Sequence, residues 1–271
     1  MFPTRSSKLL VVGSLFLGAV AFLPASLTAD HSWGPYHWLR TGNEVFLNVG
    51  DNVGTAWTAY LDEAIADWNP SSRIELTAVA GGTEPSRCRA VKGTIQVCSG
   101  DYGNTGWLGV AQIWVSRSAH ITQATTKVND FYFNPDYAGG FYDTPAWRRL
   151  VMCQEIAHDF GLDHQDEIFE NANLGSCMDY TNNPLGPPSN EHPNAHDFEE
   201  LELIYNHFDT DGSGGGPGGG RGQGGAGAPF AGIEVDQAPG LGRLIRAHGR
   251  YLVYRFDLGN GNFVVTYIIG A

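Results

Sequence analysis

The chain has 271 residues, 42% of them hydrophobic and 17% charged, with a formal net charge of −13. That much apolar material excludes a wholly disordered protein. The acidic balance excludes a binder that relies on nucleic-acid phosphates, which needs a surplus of Lys and Arg.

Residues 1–29 carry Arg5 and Lys8 and no acid, then an apolar run over 9–23, Pro24 and small residues up to Ala29. This reads as a signal peptide cut near Ala29. The run is short for a spanning helix, which needs about 20 residues. Export makes disulfides permissible. Four cysteines, Cys88, Cys98, Cys153 and Cys177, allow three pairings, of which Cys88–Cys98 would close a small loop.

Strands are expected over 44–49, 73–79 and 93–97, and extended runs over 107–115 and 121–133. A helix over 56–68 places Trp57, Leu61, Ala64 and Trp68 on one stripe. A second helix starts at Thr144-Pro145, a cap followed by a first-turn proline, runs to about Phe160 and ends at Gly161. A last helix is expected over 197–207. The order of elements is that of an α+β domain over 30–209. This module holds nine basic and 25 acidic residues, a surface that serves solubility.

From 212 to 227 the chain reads GSGGGPGGGRGQGGAG, so 210–229 is expected to be a flexible linker. Asp209-Thr210-Asp211-Gly212-Ser213 resembles the opening of a calcium loop, but the closing glutamate is missing. Beyond it, 230–271 is expected to be a small β-rich tail, with runs over 244–246, 251–256 and 263–269 and Asn260-Gly261 favouring a tight hairpin. So short a tail is weakly stable alone. It would dock on the main module, bind a partner or be removed after export.

The chemistry gathers at the end of the second helix, Gln154-Glu155-Ile156-Ala157-His158-Asp159-Phe160-Gly161-Leu162-Asp163-His164. Gln154 and His158 are one turn apart, and Glu155 borders their face. A positive φ at Gly161 would return His164 towards His158. Two imidazoles, a carboxylate and a polar amide form a zinc pocket, and the carboxylate suits a general base. Asp163, Asp166 and Glu167 either orient the His164 ring or are exposed acids. His31, His37, His120, His207 and His248 form no cluster in the sequence. Trp33 and Trp38 read as core.

Together with Ser176-Cys177-Met178-Asp179-Tyr180, this stretch resembles the metzincin metallopeptidases, whose signature is H-E-x-x-H-x-x-G-x-x-H followed by a methionine turn. The resemblance, matrixin-like in its order of elements over roughly 40–208 and shared with secreted bacterial proteins of this type, implies a twisted mixed sheet, an active-site helix and a closing C-terminal helix. It implies a zinc endopeptidase in which His158 and His164 bind zinc and Glu155 is the catalytic base. Met178 would floor the metal, and Tyr180 would assist the metal or the oxyanion. Gly106 and Trp107, Leu108, Gly109, Val110 and Ala111 are similar to the edge strand on which the family lays a peptide or protein substrate. If the methionine floor lies below the ligands as in the family, Cys153 and Cys177 lie near one another and pair. The family's first ligand is histidine, and here it is Gln154. Either Gln154 coordinates through Oε1, or another group such as His192, His196 or a carboxylate replaces it, or the site is inactive and the chain is a secreted peptide-binding protein on the same fold. No cysteine precedes the first strand, so latency through a cysteine on the metal is not expected. The implied protein is an exported monomer with no nucleic-acid partner and no membrane span after cleavage.

Overall fold

The computed structural model describes residues 31–210 and 241–271. The expected signal peptide, the glycine-rich stretch and the first part of the tail lie outside the described residues.

The main body starts with β1 (His37–Trp38), β2 (Val45–Asn52) and α1 (Thr58–Trp68). It continues through β3 (Ile74–Ala80), β4 (Thr94–Gly100), β5 (Trp107–Val115) and β6 (His120–Asn129). Two longer helices follow, α2 (Pro145–His158) and α3 (Ala195–Ile204). The tail supplies β7 (Arg243–His248), β8 (Tyr251–Gly259) and β9 (Asn262–Gly270). The result is α+β, with one mixed sheet and few helices. The runs expected from sequence are present with shifts of a few residues at their ends, and the two-residue β1 is an addition.

The strands run β3-β2-β4-β6-β5-β9-β8-β7, with β1 beside β6. Strands β1, β2, β3, β4 and β6 pair in parallel. β5 is antiparallel to β6 on one side and to β9 on the other. The tail is therefore a continuation of the main sheet, and its hairpin turns at Asn260-Gly261 as expected, both at positive φ.

Leu61, Ala64, Ile65 and Trp68 form the buried stripe of α1, which faces α2. Thr144 caps α2 by accepting from the Trp147 amide, and Pro145 needs no donor at the first turn. α2 is buried along almost its whole length between α1 and strands β5 and β6. That burial places its polar last turn, Gln154 to His158, inside the protein. α3 begins with a capping box in which Asn194 and Asp197 satisfy each other's backbone amides. Among the described residues no helix is long and apolar enough to cross a membrane. Both disulfides close as expected, Cys88–Cys98 and Cys153–Cys177.

Candidate metal centre

Gly161 takes φ +102°, and a Cβ there would collide with the Tyr36 carbonyl. The chain turns at this residue, and the next residues are pinned to the N-terminal segment by the Ser32–Leu162 bridge and the Asp163 amide on the His31 carbonyl at 2.6 Å. The turn brings His164 back, so that His158 Nε2 and His164 Nε2 lie 3.0 Å apart. His158 Nδ1 donates to the Leu162 carbonyl at 2.8 Å. A carbonyl only accepts, so the neutral ring presents a lone pair at Nε2. His164 Nδ1 is engaged by the Tyr180 hydroxyl at 2.8 Å, with Asp163 Oδ1 at 3.4 Å.

Burial, then the neighbouring His164, hold the His158 pKa well below the usual imidazole value. Burial lowers His164 to about 4, against the opposing pull of Asp163. Both rings are neutral at neutral pH, the form that binds metal.

Glu155 is 1% exposed, and its Oε2 has no hydrogen-bond partner. Burial first, then Asp159, raise its carboxyl well above the usual range, opposed by a hydrogen bond with the Ala111 backbone. Its side chain lies directly against β5: a Cβ on Gly109 would stand 2.7 Å from Glu155 Cγ and Oε1. Glycine at 109 is what lets strand and carboxyl approach.

Met178 is fully buried, and its carbonyl accepts from the Gln165 amide at 2.7 Å. The Cys153–Cys177 bridge ties α2 to this turn one residue away. Gln154 is committed at both ends of its amide. Nε2 donates to the Cys177 carbonyl at 2.8 Å, and Oε1 accepts from the Tyr251 hydroxyl at 2.6 Å. His192 pairs with Asp67 at 2.7 Å and His196 stacks on His31, so both are engaged elsewhere. Asp163, His164 and Glu167 could also gather a cation, but the Arg246 guanidinium already sits on that pair of acids, 2.5 Å from Asp163 and 3.2 Å from Glu167. Burial would raise the Asp163 pKa, yet its bonds to His164 and Arg246 hold it below the usual range. Asp166 serves the loop instead, accepting from the Ile168 amide at 2.6 Å.

The tail closes this centre. On β5, Gly109, Val110 and Ala111 pair with Ile269, Ile268 and Tyr267 of β9. Trp107 pairs with Gly270, and a register shift follows that leaves Leu108 unpaired. The strand expected to receive a substrate thus already carries an antiparallel partner. The Tyr267 ring stacks on His158 with centroids 4.2 Å apart. The Tyr251 ring meets His164 edge-on at 4.5 Å and stacks on Tyr180. Arg250 reaches the Tyr142 hydroxyl at 2.6 Å and Asn182 Oδ1 at 2.5 Å. Burial pushes the Tyr180, Tyr251 and Tyr267 hydroxyls up, so all three are protonated. The sequence held a signal for this arrangement. Tyr251 and Val253 alternate on one strand, and Phe263, Val265, Tyr267 and Ile269 on the other, as one buried face does in a hairpin.

Two neutral imidazoles with converging Nε2 atoms offer two zinc ligands, and Glu155, one turn earlier on α2, keeps a buried carboxyl oxygen without a partner. No family model matches the sequence, and no curated protein matches it. Among solved structures the chain is similar to high choriolytic enzyme 1, a hatching enzyme zinc-protease from the medaka fish Oryzias latipes. The identity is 13% over 63% of this chain and 94% of that chain, with a TM-score of 0.30. A likeness that loose assigns neither residue nor activity.

Proposed function

We propose that this chain is an exported zinc-dependent endopeptidase whose C-terminal hairpin holds it latent. The observation that carries the reading is the 3.0 Å approach of His158 Nε2 and His164 Nε2, one helical turn on from Glu155, whose buried Oε2 has no hydrogen-bond partner. His158 and His164 would hold the ion, and Gln154 Oε1 would join them once Tyr251 leaves it. Zinc, when bound there, supplies Lewis-acid polarisation of a carbonyl. Everything else falls to the chain's own groups. β5 binds an extended peptide through its backbone, in the antiparallel sense that β9 already uses. Glu155 takes a proton from the attacking water at Oε2 and passes it to the leaving amine. Burial raises its pKa, the direction in which a carboxylate is tuned towards general-base work. Tyr180, protonated and buried, orients the His164 ring through Nδ1 and can donate to a developing oxyanion. The apolar cover of Tyr251 and Tyr267 keeps water and peptide out until the tail leaves. The two disulfides support function in an oxidising compartment.

A second reading is favoured by Gln154, whose amide is hydrogen-bonded at both ends where an imidazole would otherwise coordinate. The fold would then bind peptides without cutting them. Zinc analysis and cleavage of a quenched peptide, with the tail removed and Glu155→Ala as control, separate the two. One equivalent of zinc at this centre with chelator-sensitive cleavage supports the enzyme. Cleavage that survives Glu155→Ala, or none at all with zinc bound, overturns it.

A further inference from the structure

On another part of the main body, three imidazoles meet one carboxylate. His37 lies on β1, His120 opens β6, and His207 and Asp209 follow α3. The parallel pairing of β1 with β6 sets His37 directly opposite His120. Asp209 Oδ1 stands 3.3 Å from His37 Nε2, 3.2 Å from His120 Nε2 and 3.3 Å from His207 Nε2. His37 Nε2 and His207 Nε2 are themselves 3.3 Å apart.

The backbone builds this convergence. The Arg40 amide donates to Asp209 Oδ2 at 2.7 Å, and the Asp209 amide to the Arg40 carbonyl at 2.8 Å. One carboxylate oxygen is thereby spent and the other is aimed at the histidines. The Arg40 guanidinium holds the carbonyls of Tyr205 and His207 at 2.8 and 3.1 Å. The end of α3 is thus locked against β1.

The outer nitrogen of each ring is engaged by an oxygen. His37 Nδ1 bonds the Pro35 carbonyl at 2.7 Å. His120 Nδ1 lies 3.3 Å from Ser118 Oγ, and His207 Nδ1 3.3 Å from Asn206 Oδ1. With its proton on Nδ1, a neutral His37 points an Nε2 lone pair at a carboxylate oxygen and at a second imidazole nitrogen. Acceptors that face acceptors repel unless a cation lies between them. Histidine ligands of metals show this arrangement, with the outer N–H held by a carbonyl or other oxygen. For His37, His207 and Asp209 the spacing agrees as well. Ligand atoms about 2.0–2.1 Å from a tetrahedral ion stand about 3.3–3.4 Å from one another.

We propose that His37, His207 and Asp209 hold a second divalent transition-metal ion, zinc by ligand type, with His120 beside them on Asp209 Oδ1. Two imidazole nitrogens and one carboxylate oxygen suit zinc, whereas calcium and magnesium take oxygen ligands. The ion staples segments near positions 37 and 209, which are remote in sequence. The cluster borders an open cavity of about 590 Å³, which gives an ion access from solvent.

The test counts zinc. The full chain, stripped by chelator and dialysed, is titrated with zinc chloride, and bound metal and melting temperature are measured. His207→Asn alters a half-exposed side chain and should fold. It is expected to bind one equivalent less than the wild type and to lose the zinc-dependent rise in melting temperature that this site gives. A His158→Asn/His164→Asn variant is expected to keep one equivalent, which adding His207→Asn removes. If that double variant does not fold, the comparison of His207→Asn with the wild type decides alone. Unchanged zinc content and affinity in both His207→Asn and His37→Asn overturn the proposal. So does a cluster that stabilises the fold only on acidification and gives no response to zinc, since the cation is then a proton. Neither result depends on whether the α2 centre is active.

Discussion

Under the proposed function, releasing the tail should switch peptidase activity on, and Tyr267 is the residue on which the magnitude can be worked out. Its ring is buried against Trp33 and stacks on His158. Truncating a large buried aromatic ring to alanine costs about 3–5 kcal/mol. The loss falls on the docked state alone, because an undocked tail makes no such contact. With every 1.4 kcal/mol worth about tenfold, Tyr267→Ala raises the open fraction by about 10² to 4 × 10³, up to full opening. The kcat/KM for a quenched extended peptide, measured with zinc present and a chelator control, should rise by up to that factor. A chain ending at Thr210 sets the ceiling. The control is Tyr267→Phe: the hydroxyl is buried without a partner, so its removal should leave docking as tight or tighter. The reasoning is refuted if the chain ending at Thr210, folded and zinc-loaded, cleaves no faster than the full chain. It also fails if Tyr267→Phe releases as much activity as Tyr267→Ala.

Three other outcomes follow from the same geometry. Glu155→Gln in the released enzyme should lower kcat by about 10²–10⁴, the usual worth of a positioned general base, while zinc content by elemental analysis stays the same. Gln154→His removes the acceptor of Tyr251 and adds an imidazole, so zinc affinity measured by competition should rise and the tail should dock less tightly; a fall in zinc affinity would place Gln154 outside the ligand set. Burial raises the pKa of Asp179 to about 6 from an ordinary value of 3.8, against its bonds with the Leu174 amide and Asn190. The folded state therefore holds this proton more tightly than the unfolded chain does. That contribution to stability is complete below about pH 4 and is lost as pH rises through about 6. Asp179→Asn should remove this component from denaturation midpoints measured between pH 4 and 7, and an unchanged pH profile would refute the assignment.

What the sequence made legible was local. Thr144, Pro145 and Gly161 mark the start and end of α2, because caps and positive φ are decided within a few residues. His158 and His164 meet because a single glycine turn separates them. The Cys153–Cys177 pair followed from the expected position of the methionine turn beneath the ligands. The second histidine cluster was invisible for the opposite reason. His37, His120 and His207 each stand alone in the sequence, and only the parallel register of β1 on β6 and the lock of Arg40 on the end of α3 bring them together. The tail was legible as strands, but the sheet edge it joins was not. Backbone pairing is the same for any sequence, and beyond it the docked tail sets two tyrosines against histidines roughly ninety and a hundred and ten residues upstream. Gln154, the departure from the expected pattern, finds its partner Tyr251 in that same tail.

Under the proposed function, the covering of β5 would also answer a physical problem that such a peptidase must face. Residues 107–115 read WLGVAQIWV, and all but Trp107 are buried in the described structure. An uncovered strand of that length and apolarity, with one row of backbone donors and acceptors free, is a template for aggregation. The same row of groups is what an extended substrate needs, so a charge or a proline cannot blunt the edge without removing the binding site. A removable strand of the chain's own satisfies both demands. In the proposed peptidase β9 would fill the row while the tail is docked, and its departure would yield a strand that is competent and sticky at once. The released form should therefore aggregate faster than the full chain, and an added peptide that binds β5 should slow that aggregation and compete with substrate at similar concentrations. If the peptide protects against aggregation but leaves cleavage untouched, then β5 is only a structural edge and the substrate lies elsewhere.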